Sequence, residues 1–288
     1  MAAKSELSRN RPRRTGRKGA EKRSMRGRNI LCAAVLLWVA GRAAADEQPI
    51  CADRPGKSSQ ACTVPAGHFQ FESSLADWTL DRHDGERDTA LAIGETGFKF
   101  GLTDRSHIDI DTTPWVRVTS RDGQAHSSAA GFGDVVVNYK YRLTSADAAL
   151  MLAVSPFVKV PTGKHSIGNG KWEGGLIVPV QYAIPKSPLV LSVTPEIDWA
   201  ADADGHGHHG AMSSVLDLGW QVTDKLNLAG EIWGQWDWDP ARTTRQASAD
   251  GAVAYLVRKD LQLDAGFNVG LNRVTPDLDL YVGVAKQF

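Results

Sequence analysis

Residues 276–288 read PDLDLYVGVAKQF and alternate with a period of two. Leu278, Leu280 and Val282 fall on one side of an extended chain, and Asp279 falls on the other. Successive side chains of a β-strand point to opposite faces, so this stretch predicts a strand with one apolar and one polar face. The alternation runs on to Phe288, which we interpret as a signal for the outer-membrane barrel-assembly machinery.

The same alternation recurs along the rest of the chain. Residues 261–271 and 226–238 are the clearest further examples, and aromatic side chains such as Trp199, Trp220 and Tyr139 stand near strand ends. We predict twelve strands over residues 65–288. An even number of long amphipathic strands with terminal aromatics is typical of an outer-membrane barrel, whereas the strands of soluble sandwiches are usually shorter. The fold class predicted is therefore all-β, a 12-stranded antiparallel outer-membrane β-barrel.

The first 45 residues have the features of a secretory signal peptide. A basic region precedes a short apolar run, ILCAAVLLWVAG, and an Ala-x-Ala cleavage site follows at residues 43–45. The apolar run is too short for a spanning helix. Because the basic region is long for a signal, Met25 is an alternative start. The predicted organisation is a signal peptide over 1–45, a periplasmic N-terminal segment over 46–64 and a transmembrane barrel over 65–288.

The neutral charge of the whole chain comes from the predicted signal. Residues 1–45 hold twelve of the 33 basic residues but two of the 33 acidic ones, so the remainder carries 21 basic and 31 acidic residues. An acidic mature chain without a basic patch argues against nucleic acid as a partner.

Two cysteines follow the predicted cleavage site. Cys51 and Cys62 enclose the sequence ADRPGKSSQA. Export places them in an oxidising compartment, where such a pair usually forms a disulfide. Closing so short a loop contributes about 3 kcal/mol or slightly less in the loop-entropy picture. We expect this bridge to constrain the periplasmic segment, with two free thiols as the alternative.

Five segments together resemble the transporters of the MetA-pathway of phenol degradation family. They are GETGFKFGLTDRSHIDI from Gly94, GFGDVVVNYKYRL from Gly131, PFVKVPTGKHSIGNG from Pro156, GWQVTDKLNLAGEIWG from Gly219 and LQLDAGFNVGLNRVTPDLDLYVGVAKQF from Leu261. They occur in the order in which the family has them, and the resemblance covers roughly residues 65–288. It implies passage of small organic molecules, including aromatic ones, across the outer membrane. No catalytic residues come with it.

The strand registers assign one set of polar side chains to the interior of the barrel. These predicted lumen-lining residues are His107, Asp109, Asp111, Arg117, Lys140, Arg142, Lys159, Glu196, Asp198, Asp217, Glu231 and Asp264. Such a set is able to line a wet channel or to close the lumen through ion pairs, and the sequence leaves both possibilities open.

A histidine-rich stretch, DADGHGHHG, follows the strand that ends near Trp199. Imidazole and carboxylate groups suit zinc, copper or nickel. Flexible glycines surround the ligands, so a mobile polar loop is the preferred interpretation. His206, His208 and His209 are therefore weak candidates, and no metal site, cofactor site or catalytic residue is assigned.

The function predicted from these features is that of a passive outer-membrane channel for small organic molecules. Its expected partners are outer-membrane lipid, the assembly machinery and a small solute. Two alternatives remain. A lipid-modifying hydrolase would need a Ser/His pair at the outer interface, and none was found in the sequence. A structural barrel with a blocked lumen is the other.

Overall fold

The computed structural model describes residues 50–288. The predicted signal peptide (1–45) and the alternative start at Met25 lie outside these residues. No helix among the described residues is long and apolar enough to cross a membrane. The strands are β1 (Phe69–His83), β2 (Glu86–Ile93), β3 (Glu95–Thr103), β4 (Ser106–Thr112), β5 (Trp115–Asp122), β6 (Ala125–Gly131), β7 (Val135–Arg142), β8 (Leu150–Val160), β9 (Glu173–Ile177), β10 (Val180–Ala183), β11 (Leu189–Ala201), β12 (His208–Gln221), β13 (Leu226–Asp239), β14 (Arg242–Arg258), β15 (Leu261–Gly270) and β16 (Leu278–Gln287).

These segments form a closed antiparallel barrel of twelve strands. Four barrel strands are interrupted and consist of two consecutive segments each, namely β2–β3, β4–β5, β6–β7 and β9–β10. Strand β1 pairs with both β2 and β3 on one side and with β16 on the other, which closes the barrel. Closure gives every barrel strand a hydrogen-bonding neighbour on both sides, which is necessary because lipid cannot hydrogen bond to backbone N–H and C=O groups. The predicted fold class is confirmed.

The interruptions occur where the sequence breaks its alternation. Gly94 separates β2 from β3 and has a φ of 71°, a conformation that glycine adopts without strain. Ile93 and Phe100 are both exposed on the outer face although they lie seven positions apart, an odd separation that would place them on opposite faces of a regular strand, so a bulge at Gly94 restores the alternation. Pro114 lies between β4 and β5, and Pro179 lies between β9 and β10, because proline cannot donate a ladder hydrogen bond.

The outer surface of the barrel is apolar, with aromatic residues toward both ends. On β11, Leu191, Val193 and Ile197 are exposed, whereas Ser192 and Thr194 between them are buried. The exposed aromatic residues include Tyr139, Tyr141, Trp199, Trp220, Trp236 and Trp238. An apolar band flanked by aromatic girdles is the surface that a lipid bilayer requires.

The barrel closes next to its last residue. Phe69 and Phe288 exchange two backbone hydrogen bonds, with N–O distances of 2.7 and 3.2 Å. Their rings stack with centroids 5.7 Å apart, and Phe69 also contacts Phe98 and Phe100. Phe288 is 56% exposed on the outer face. We call the end of the barrel that contains these residues the terminal end, and the opposite end, which contains the β1–β2 turn, the hairpin end.

Candidate functional site

The interior of the barrel is polar, and most of the predicted lumen-lining residues lie there. Their inward positions alternate with exposed apolar residues on the same strands, as with Asp198 between Ile197 and Trp199. The inward residues from the predicted set are His107, Asp109, Asp111, Lys140, Arg142, Lys159, Glu196, Asp198, Asp217, Glu231 and Asp264. The strand registers that the alternation implied therefore hold on both sides of the barrel.

Arg117 is the exception, and its predicted lumen position is wrong. It is exposed on the outer face, where its guanidinium lies 5.6 Å from the centroid of the Trp115 ring. Val116 next to it is 3% exposed and faces inward instead. The prediction assumed that the alternation of inward and outward residues continues unchanged through Pro114. The break between β4 and β5 shifts it by one residue, so that the inward and outward positions change places in β5.

The N-terminal segment, residues 50–64, fills much of the lumen, so its predicted place outside the barrel in the periplasm is wrong. The Ile50 N–H donates to the Lys259 carbonyl at the terminal end (3.2 Å), and the Val64 N–H donates to His107 Nδ1 inside the barrel (3.1 Å). Between them the chain loops into the interior and returns, and a Cys51–Cys62 disulfide closes the loop. We refer to residues 50–64 as the plug.

One side of the plug is held by lysines of the barrel wall. The Asp53 carboxylate accepts hydrogen bonds from Lys99 at 2.6 Å and from Lys140 at 2.9 Å. Lys99, whose side chain is 2% exposed, also pairs with Glu72. Burial would raise the pKa of the Asp53 carboxyl, but Lys140 and Lys99 outweigh burial and hold this pKa well below its usual range. Asp53 is therefore ionised and paired at neutral pH.

The other side of the plug is held by carboxylates of β13, β14 and β15. Arg54 pairs with Asp264 at 2.8 Å, and Lys57 pairs with Asp250 at 2.7 Å. The carboxylate of Glu231 accepts the backbone N–H groups of Lys57 and Ser58 at 2.8 and 2.9 Å. The plug thus presents an anion to the basic wall and cations to the acidic wall.

Small residues allow the plug to approach the wall closely. A Cβ at Gly283 of β16 would overlap the Arg54 guanidinium, and a Cβ at Gly56 of the plug would overlap the Glu231 carboxylate. These contacts require glycine because no larger residue leaves room for the charged group. Lys57 also lies 5.1 Å from the centroid of the inward-facing Trp233 ring, a cation–π distance.

Two small cavities lie beside the plug in the lumen. A cavity of about 150 Å³ lies between the plug and β4, β7 and β8, with Lys57, His107, Asp109, Lys140 and Phe157 among its lining residues. A second cavity, of about 140 Å³, lies on the side of Arg54 and Lys99. A cavity of 150 Å³ can hold one benzene when its walls are apolar. Here polar and charged residues outnumber apolar ones in the walls, so the space suits water and polar groups.

The three histidines considered for metal binding do not converge. His206 is exposed, and His208 stacks on Trp199 with ring centroids 3.6 Å apart. His209 lies between two carboxylates, with Nδ1 2.8 Å from Asp202 Oδ1 and Nε2 2.8 Å from Asp237 Oδ1. Both ring nitrogens of His209 are therefore occupied by hydrogen bonds. Through these two contacts, His209 connects the loop after β11, which contains Asp202, to Asp237 on β13.

Sequence reasoning missed Asp53, Arg54 and Lys57 as functional residues. Their neighbourhood reads as a short polar segment ahead of the first strand, and nothing local indicates that it enters the barrel. The feature of the sequence that could have indicated them was the negative charge of the predicted lumen. An inward set with more carboxylates than bases needs cations, because buried charges are normally paired, and the segment next to the barrel supplies them.

An apolar outer belt, a closed barrel of twelve strands and a polar interior together define an outer-membrane β-barrel protein. Residues 52–285 match the family described as "Putative MetA-pathway of phenol degradation". The chain belongs to this family, as the resemblance noted in its sequence implied.

The fold is similar to that of solved outer-membrane proteins. The COG4313 outer membrane channel from Pseudomonas putida F1 superposes with a TM-score of 0.68 at 15% identity, covering 82% of this chain and 99% of the other. The toluene transporter TbuX of Ralstonia pickettii is 10% identical with a TM-score of 0.44, covering 78% of this chain and 90% of that one. None of the curated proteins is significantly similar to the chain in sequence. The first of these similarities supports the fold.

Proposed function

We propose that this protein is an outer-membrane channel for the passive passage of small organic molecules, aromatic ones included, and that the plug closes its lumen. The observation that carries the proposal is the charge match between the plug and both walls. Asp53 faces Lys99 and Lys140, while Arg54 and Lys57 face Asp264 and Asp250. Such a match allows a polar segment to occupy a polar lumen without leaving charges unpaired.

The dimensions of the lumen indicate that solutes pass after the plug has moved. Charged side chains border both small cavities, and an unsubstituted hydrocarbon ring would desolvate them without replacing their hydrogen bonds. A molecule with a polar group fits this lining better, because it can hydrogen bond to the carboxylates and lysines. Trp233 and Tyr281 add aromatic surface where Lys57 and Arg54 now lie.

A deletion of residues 50–64 tests the proposal. We expect the full-length protein to show low conductance in planar bilayers and slow liposome swelling with phenol-sized polar solutes. The deletion variant should show higher conductance and faster swelling. Heat-modifiable mobility on gels checks that both barrels are folded. Equal and low flux through both folded proteins would contradict a channel function.

The same plug contacts favour a second candidate, a structural barrel with a permanently blocked lumen. Anchors on opposite walls, to Lys140 on β7 and to Asp250 on β14, are what a permanent closure would need. Under this function, the deletion would create a pore that the natural protein never opens. Recordings of the full-length protein distinguish the two, because only a channel shows spontaneous opening events.

A further inference from the structure

A second polar cluster lies on the first hairpin, away from the plug. Strands β1 and β2 pair with Asp81 opposite Asp88 and His83 opposite Glu86. Alternate residues of a strand share a face, so all four side chains project to the same side of the hairpin. The turn between the strands contains Asp84 and Gly85 with φ values of 49° and 85°. Two positive φ values correspond to a type I′ turn, which fixes the pairing of the two strands.

The cluster contains polar atoms without hydrogen-bond partners. His83 Nδ1, His83 Nε2 and Asp88 Oδ1 are buried, and none of them makes a hydrogen bond. The His83 side chain is only 11% exposed. Leaving such atoms unsatisfied costs about 1–3 kcal/mol each, so the arrangement calls for a ligand that one nitrogen of His83 can share with Asp88.

We propose that Asp81, His83 and Asp88 bind one divalent transition-metal cation of the zinc class, with Glu86 orienting the imidazole. One donor atom from each of the three residues lies within 4.8 Å of the other two. His83 Nδ1 is 3.5 Å from Asp81 Oδ1. Metal bonds of about 2.0–2.2 Å at near-tetrahedral angles separate neighbouring ligand atoms by roughly 3.3–3.6 Å.

Glu86 occupies the position of a supporting group. Its Oε2 is 3.3 Å from His83 Nε2, the ring nitrogen that faces away from Asp81. A histidine that binds a metal through one nitrogen usually donates the proton on the other nitrogen to a carboxylate or carbonyl. A small rotation of the His83 ring would complete this hydrogen bond.

The charges and donor types identify the class of ion. Three carboxylates surround one imidazole, so a divalent cation reduces their mutual repulsion. The nearby Arg82 points elsewhere, since its side chain is 64% exposed and pairs with Asp277 at 3.0 Å. Calcium prefers six to eight oxygen ligands, whereas an imidazole nitrogen with two carboxylates suits zinc and its neighbours.

The histidine cluster at residues 202–239 provides a matched comparison. His209 is also buried between carboxylates, but both of its ring nitrogens already make hydrogen bonds of 2.8 Å. A metal at His209 would have to break one of them. The ring nitrogens of His83 make no hydrogen bond, so a metal can bind there without breaking one. For this reason we place the metal site on the first hairpin.

Metal titration of the refolded, untagged and chelator-treated protein tests the proposal. We expect one equivalent of Zn²⁺ to bind by calorimetry, and Co²⁺ to give a visible d–d absorption band. His83→Ala and Asp88→Asn should each weaken Zn²⁺ binding at least tenfold. Glu86→Gln should weaken it about 10–100-fold while the stoichiometry stays at one. His209→Ala should leave the affinity within a factor of two.

Three results would overturn the proposal. They are the absence of stoichiometric Zn²⁺ binding, binding that survives both His83→Ala and Asp88→Asn, and loss of binding in His209→Ala alone. Heat-modifiable mobility establishes that each variant is folded. If His83→Ala does not fold, Asp88→Asn decides, because it removes a ligand charge while preserving the shape of the side chain.

Discussion

Replacing Asp53 by Asn should release the plug. The Asp53 carboxylate lies 2.6 Å from Lys99 Nζ and 2.9 Å from Lys140 Nζ, and the two lysine side chains are 2% and 4% exposed. An amide of the same shape cannot compensate either ammonium group. Both lysines would then stay buried next to a neutral group as long as the plug remained in the lumen. Departure of the plug would let water solvate them.

The structure sets the size of the effect. Removing one partner of a buried ion pair costs about 3–5 kcal/mol. Lys99 keeps its contact with Glu72, so the lower end of this range applies. About 3 kcal/mol corresponds to a shift of roughly 100-fold in the equilibrium, since 1.4 kcal/mol is a factor of ten. An open state populated at about 0.1%, which is typical of a minor conformation, would rise to about 10%.

Single-channel recording in planar bilayers measures this population directly. The Asp53→Asn variant should spend far more time in the conducting state than the parent protein. Asp224→Asn is the matched control, because it makes the same chemical change at an exposed residue of the turn between β12 and β13. A folded Asp53→Asn barrel with the open probability of the parent would show that the Asp53 ion pairs do not hold the plug in the lumen.

Three further outcomes follow from the same contacts. Reduction of the Cys51–Cys62 bridge, or Cys51→Ser with Cys62→Ser, should increase opening events in bilayer recordings. The bridge lowers the conformational entropy of the released plug, which costs the released state about 3 kcal/mol or less, and its loss removes this cost. Unchanged recordings would contradict this. The open probability should stay constant from pH 7 to pH 5. Because the pKa of Asp53 is lowered, the stabilisation of the closed state by this carboxylate is complete above about pH 4 and is lost only as the pH falls through the folded-state pKa. An opening transition above pH 5 would contradict this prediction. Deleting Phe288 should lower the amount of heat-modifiable barrel in outer membranes, because this residue pairs with Phe69 at the closure, and undiminished levels would show that it is not an assembly signal.

The barrel was predictable because contact with lipid requires apolar residues at alternate positions within each single strand. Each exposed face must be apolar wherever it meets the bilayer, so residues 278–288 alone reveal which side of β16 faces outward. Even the bulge at Gly94 could be inferred from conflicting apolar positions on its two sides. Pro114 could be recognised as a break, but the sequence does not show that the two faces change places there. Arg117 was misplaced for that reason.

The plug was not predictable from local pattern because its partners are distant in sequence. Lys57 pairs with a residue 193 positions away, and Arg54 pairs with one 210 positions away. No periodicity connects such residues. The hairpin cluster was missed for a related reason. His83 and Asp88 come together only once the register of β1 and β2 is known, whereas the histidines at 206–209 are conspicuous but diverge in space.

The chemistry of the plug contacts bears on whether the lumen opens. Buried ion pairs contribute little net stability compared with apolar packing, because the desolvation of the charges offsets their attraction. A segment meant to seal the barrel permanently would be held more firmly by apolar side chains on both surfaces. Here Asp53, Arg54 and Lys57 meet charged walls that water can solvate once the plug leaves. The lumen would then be hydrated and lined with charges, and the plug would remain tethered at Pro65 beside its own binding site. The geometry therefore favours a closure that can be reversed over a permanent one.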